Sequence, residues 1–216
     1  MKKILFLFLA TFSLTLVAQD KLTEGVITTK QTISSENADV QAQLDMIGKI
    51  ESTTYFKGLK SRTEQSNPMT GEVIMISNAE TKEVLSLSDN MMGKTYIYQK
   101  MDSINDKMKD IKVVAGDKTK KVLGYDCKQY TVTIKQEGVE MIMNMFTTEA
   151  IPAASQQTAM LGDKLKGFPL YMTMTMNQMG SEILITSEVT EIKKDKVSDD
   201  KFSMTPPEGY KKGPGQ

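Results

Sequence analysis

The chain has no histidine, no tryptophan, one cysteine and one arginine among its 216 residues. Losing histidine removes Ser-His-acid and Cys-His catalysis and the usual zinc ligands in one step. With no tryptophan, and aromatics at 6%, a sugar-cleaving groove would lack its stacking residues. The carboxylate pairs Asp199-Asp200 and Glu188 with Glu191 are formally available for such chemistry, but they sit on strand edges and tails, where acids are usually solvated. No Gly-x-Ser-x-Gly elbow, Walker loop or strand-linked Gly-x-Gly-x-x-Gly occurs. Acid, base and nucleophile are nowhere assembled, so no catalytic residue is assigned and the sequence reads as that of a non-enzyme. Asp102, Asp106 and Asp110 recur every four residues as an acidic helical stripe. Three carboxylates spread over two turns do not wrap one ion, and the alternating Asp and Gly of a calcium loop is missing. Neither a metal nor a cofactor is expected.

Cys127 has no partner within its own chain, so no internal disulfide can form. It reads as a small buried hydrophobe, with a free thiol or an intermolecular bridge as the alternatives. Arg62 is the lone guanidinium; every other basic residue is lysine, which leaves few means of clamping phosphate or carboxylate. The 27 basic and 27 acidic residues are interspersed, and nothing concentrates positive charge for nucleic acid.

What is present begins with an address. Lys2 and Lys3 precede the apolar run from Ile4 to Ala18, and Ala18 supplies the small residue of a cleavage site. Residues 1–18 are therefore expected to be a secretory signal peptide, with a periplasmic or extracellular destination and no transmembrane span after cleavage. Cleavage would leave 25 basic against 27 acidic residues. No cysteine follows the apolar run, so a lipid anchor at the new N-terminus is not expected.

Residues 19–203 read as one antiparallel β domain. Strand signals run over Gly25 to Ile33, Ile50 to Lys57, Leu59 to Gln65, Glu72 to Ser77, Glu83 to Ser88 and Lys94 to Lys100. They resume at Ile111 to Ala115 and Val122 to Ile134, split by a polar turn at Gly116-Asp117-Lys118, and end with Glu182 to Lys193. Val40, Leu44 and Ile47 lie at i, i+4 and i+7, which predicts a short helix over Ala38 to Lys49 capped by Asn37 or Asp39. Met101 to Asp110 is expected as a second helix. A third, Ala153 to Leu161, is bounded by Pro152 and Gly162. The tail 204–216, rich in Pro and Gly, is expected to run extended, be partly disordered and fray.

Two further strands carry methionine at every second position: Met141, Met143 and Met145 within Val139 to Phe146, and Met172, Met174 and Met176 within Phe168 to Met176. Alternation puts each set of three on one face of its strand. Thioethers are soft and re-pack around variable apolar partners, which suits a loosely specified greasy ligand and equally suits an ordinary core wall. The candidate binding wall is these six methionines with Phe146 and Phe168. The helix between the two strands is the natural cover.

Four stretches carry a resemblance: Tyr55-Phe56-Lys57-Gly58 with Lys60, Arg62 and Glu64; Gly124-Tyr125 with Cys127 and Tyr130; Gly167-Phe168-Pro169-Leu170 with Met172; and Asp199-Asp200 with Phe202, Pro206-Pro207 and Gly209-Tyr210. Together they resemble an exported bacterial domain family of unknown function, and more distantly the LolA-type lipoprotein carriers and sorting proteins. That resemblance implies a mainly β, α+β fold in which a large curved antiparallel sheet forms an open half-barrel, with two or three short helices covering its concave face. It implies a lipid or a lipoprotein acyl chain as ligand, and a lid-latching arginine for which Arg62 is the candidate, although Lys60 and Glu64 beside it suggest a wet face. The expected function is non-enzymatic binding of an apolar ligand in the cell envelope. The alternative is a filled scaffold that recognises an envelope protein through loops or an edge strand.

Overall fold

The computed structural model describes residues 21–67, 71–101, 111–136, 139–159, 161, 164–178 and 180–213. The leader expected over 1–18, the acidic stripe of Asp102, Asp106 and Asp110, and all but Met101 of the helix expected at Met101 to Asp110 lie outside them.

The chain is mainly β. β1 (Glu24–Ser35) leads through the helix α1 (Ala38–Asp45) into a run of hairpins: β2 (Ile50–Lys57), β3 (Lys60–Asn67), β4 (Gly71–Asn78), β5 (Glu83–Asn90) and β6 (Gly93–Lys100). A second run follows, β7 (Ile111–Val122), β8 (Tyr125–Gln136), β9 (Val139–Thr148), β10 (Phe168–Gln178) and β11 (Ser181–Lys193). β11 returns to pair with β1, so the two runs fuse, with a two-residue β12 (Lys211–Lys212), into one sheet in the order β12-β6-β5-β4-β3-β2-β1-β11-β10-β9-β8-β7. The short β12 adds to β6 in parallel, and every other pairing is antiparallel. Among the described residues the sheet is not closed: β7 lies at one end of the order and β12 at the other.

Local chemistry explains most boundaries. The Asn37 side chain accepts hydrogen bonds from the backbone N–H groups of Asp39 and Val40, which sets the start of α1. The polar stretch Gly116-Asp117-Lys118 does not turn the chain. It lies within β7 as an irregularity, with the register against β8 shifting between Ala115 and Thr119. The reversal comes later, at Leu123-Gly124, where φ is 48° and 85°. Both values are left-handed, as a two-residue type I′ hairpin turn demands. Leucine carries no turn signal, so the sequence hides this reversal.

Of the two or three helices expected, the described residues hold α1 and a four-residue α2 (Gln156–Ala159), together with one 3-10 turn at Asp199–Phe202. α1 packs along β1. The segment carrying α2, from Ala150 to Leu165, lies across the face that bears the methionines. Ile151 and Ala153 join Ile27, Phe56, Leu170 and Val189 in one core cluster. The Ser61 hydroxyl donates to the Ala154 carbonyl at 2.7 Å, and Ala159 packs with Val84 and Met101. Leu161 and Leu165 close a second cluster with Met143, Met145, Met172, Val132 and Ile134. The opposite face of β4 to β6 is covered from the C-terminus: Met204 and Tyr210 pack on Ile74, Ile76, Leu85 and Leu87, and the Gly213 N–H donates to the Tyr96 carbonyl.

Candidate functional site

The two methionine strands are immediate neighbours. Their register pairs Met172 with Met145, Met174 with Met143 and Met176 with Met141, so all six thioethers share one face in three cross-strand contacts. The pairing continues across both neighbours. One rung runs Ile33, Ile185, Met174, Met143, Val132, Val113, and the next runs Ser35, Ile183, Met176, Met141, Ile134, Ile111. One apolar band therefore crosses six strands and the next crosses five, from β11 to β7, without a break in parity.

Burial along this ladder is graded. Met143, Met145 and Met172 lie under Leu161 and Leu165 and are at most 7% exposed. Met141, Met174 and Met176 are half-buried, as are Ile33, Ile183 and Ile185. The covering segment thus seals the Met145–Met172 end; on the far rung Ile134 and Ile111 are buried as well, and the part left partly open runs over β1, β11, β10 and Met141 of β9.

Phe168 lies beyond a bulge between Pro169 and Tyr171 and lines a small hollow with Leu170 and Met172. Phe146 does not share the methionine face. It follows Met145 directly in an unbroken strand, so alternation turns it to the other face. There its ring meets Tyr171 edge-on at 6.2 Å, and Lys120 Nζ lies 3.2 Å from the centre of the Tyr171 ring. The candidate wall loses Phe146 and takes in Ile33, Ile183 and Ile185. The parity of Ile183 and Ile185 was visible in the sequence; their adjacency to the methionines needed the β10–β11 register.

The hollow beside Met172 measures about 40 Å³ and sits between α2 and strands β1, β2, β3, β10 and β11. Thr29, Gln31, Ser52, Gln65 and Ser187 give it a polar, uncharged side opposite the Phe168, Leu170 and Met172 side. A water needs ~10–15 Å³ by this measure, so the space fits a few waters and is far below the ~300 Å³ at which small-molecule pockets begin. A second depression, about 620 Å³ and open to solvent, is lined by Leu123, Gly124, Tyr125, Thr190, Glu191, Ile192 and Lys194.

Arg62 sits on the face away from the methionines. Its Nε donates to Glu64 Oε1 at 2.6 Å and its Nη1 to the Lys201 carbonyl at 3.4 Å, while Lys201 Nζ reaches the same Glu64 oxygen at 3.2 Å. Lys201 also stands 4.2 Å from the Tyr55 ring centre, and Lys57 pairs with Asp199 at 3.0 Å. The arginine fastens the C-terminal 3-10 turn, not a cover over the methionines. Burial raises the Glu64 carboxyl, but hydrogen bonds from Arg62 and Lys201 outweigh it and hold the group below its ordinary value of 4.5. Cys127 is fully buried, and burial followed by the nearby Asp126 charge pushes its thiol up to about 11. Among the described residues no group of three or more Cys, Asp or Glu side chains is placed to hold a metal ion. No helix of the described residues is long and apolar enough to cross a membrane.

A sequence-family model described as a domain of unknown function, DUF4412, matches residues 39–210. No curated protein matches the chain. Two solved structures of PNGF-II, in the C2 and P21 space groups, align with 88% of this chain at 16% and 15% identity, with TM-scores of 0.49 and 0.48. The aligned part is 31% and 32% of those chains, so this chain spans about a third of their length. A likeness that loose carries no weight for fold or function.

Proposed function

We propose, for a chain that belongs to the DUF4412 family of domains of unknown function, a non-enzymatic role in the cell envelope: holding a lipid or other apolar ligand against the open end of the methionine ladder. The observation that carries this reading is the graded burial. Six apolar side chains on four adjacent strands stay half-buried on a face whose other end is sealed. Scattered apolar exposure is ordinary on a protein surface, whereas a contiguous band in register is a surface that something else can cover.

A curved sheet cupping the ligand fits the same geometry. Ala159 packs on β5 and Leu161 in the cluster on β7 to β10, and two residues of chain reach no more than ~7 Å. In a flat sheet β5 and β10 stand six strand spacings apart, about 29 Å. A face that turns toward itself around the covering segment accounts for this, which supports an open half-barrel with the methionines inside. Binding would be driven by apolar burial at ~25 cal/mol per Å², less the cost of ordering ligand and side chains. Export through the leader at 1–18 belongs to the same proposal.

The small size of the hollow, about 40 Å³, favours a second reading in which the face is a filled core and the protein is a scaffold for an envelope partner. Native mass spectrometry of the purified protein, with lipid extraction, separates the two: the binder carries lipid and the scaffold carries none. Met174→Glu combined with Met176→Glu is expected to abolish the fluorescence rise of the uncharged apolar probe N-phenyl-1-naphthylamine while the protein stays folded, since both side chains are half-buried. Undiminished probe binding by the folded double variant would sink the proposal.

A further inference from the structure

The ladder has a polar end, and that end says what kind of apolar molecule the face would select. This point rests on the apolar binding proposed above and adds to it. Gln31, Ser187, Met172 and Met145 form one rung in register, so the polar hollow and the methionine wall are adjacent parts of one surface. Ser187 is only 9% exposed and lines the hollow, as do Gln31 and Gln65. Among the described residues, neither the Ser187 hydroxyl nor the side-chain amides of Gln31 and Gln65 have a protein hydrogen-bond partner. Buried polar groups nearly always have partners, so an unpartnered hydroxyl aimed into a cavity marks a place where a guest group completes the bonding.

No residue lining the hollow is ionisable. A carboxylate seated there would give up its hydration and meet no cation, which is strongly unfavourable. An ester carbonyl, an amide or an alcohol meets what it needs: a hydroxyl that donates and accepts, and amides that do both. The volume of about 40 Å³ matches one such group in place of two or three waters. We infer that the face takes an acyl chain joined to an uncharged hydrogen-bonding head and discriminates against the free fatty acid. Ser187 and Gln31 hold the head, and the chain runs from Met172 along Met174 and Met176.

The test compares 1-oleoylglycerol with oleate by calorimetric titration of the purified protein at pH 8, below the aggregation concentration of either lipid. The expected result is binding of 1-oleoylglycerol at least tenfold tighter than oleate. Ser187→Ala and Gln31→Leu should each weaken 1-oleoylglycerol about three- to tenfold, the range one or two hydrogen bonds cover, and leave oleate unchanged. Gln31→Leu keeps the side-chain volume, so the test does not hang on Ser187→Ala alone, and a thermal melt shows that each variant is folded. Gln31→Lys should move the preference toward oleate by supplying the missing cation. Equal affinity for the two lipids, or 1-oleoylglycerol binding indifferent to both substitutions, overturns the head-group assignment and leaves apolar binding standing. If neither lipid binds, both fall together.

Discussion

Glu64 is held by two cations, Arg62 two residues away on its own strand and Lys201 from the distant C-terminal turn. Its folded pKa lies below the unfolded value, so its contribution to stability is present above about pH 4.5 and is lost as the pH falls through the folded value. Glu64→Gln is therefore expected to cost about 1 kcal/mol near pH 7, in the range of charge-assisted hydrogen bonds at a partly exposed site, and to cost progressively less toward pH 2. Urea titrations at a series of pH values measure this, and a penalty that does not shrink with acid would contradict it. Cys127 makes a second residue-scale prediction. With the thiol buried and its pKa pushed up to about 11, almost no thiolate exists at pH 8. Ellman's reagent should react with it only as fast as the protein unfolds, and fast labelling of the native state would mean the core around it is open. The sequence supported the burial of Cys127, because nothing beside it activates a thiol. It did not reveal the Arg62–Glu64–Lys201 cluster, since Lys201 lies far along the chain from β3.

At the scale of elements, the C-terminal stretch works as a strap. Composition alone marks 204–216 as a tail, yet Met204 and Tyr210 cover the apolar rungs of β4 and β5, and Lys211–Lys212 pair with Thr95 and Tyr96. A Pro- and Gly-rich segment has little periodicity to read, so its docking depends on an apolar surface built elsewhere. Tyr210→Ala is expected to destabilise by about 1–2 kcal/mol, the loss of one half-buried aromatic, and to raise binding of an apolar dye to the uncovered face. A melt unchanged from that of the parent would mean the strap is not seated in solution. Most strands were legible for the opposite reason: alternation in EVIMIS, EVLSLS and VEMIMNMF reports a half-buried sheet directly. The misread turn at Gly116 to Lys118 and the hidden one at Leu123-Gly124 share a cause. Polar residues tolerate a bulge as readily as a turn, and a leucine held at positive φ is imposed by the hairpin on either side.

For the molecule as a whole, one continuous sheet joins both halves of the chain through the β1–β11 pairing, and one covering segment touches both. Unfolding should therefore be a single cooperative transition. Urea curves by far-UV circular dichroism and by tyrosine fluorescence should superimpose, because the seven tyrosines are spread over both halves and no tryptophan biases the signal. Two separated transitions would show that the halves fold as independent units. Strand content, the single-faced methionine rows and the lack of histidine follow from the chain alone, because side-chain alternation and residue inventory are local properties. That the two rows lie side by side on one face, that Phe146 turns away from them, and that Ser187 and Gln31 share a hollow with Met172 follow only from register. Register depends on which strand lies beside which, and here β11 meets β1 across more than a hundred residues.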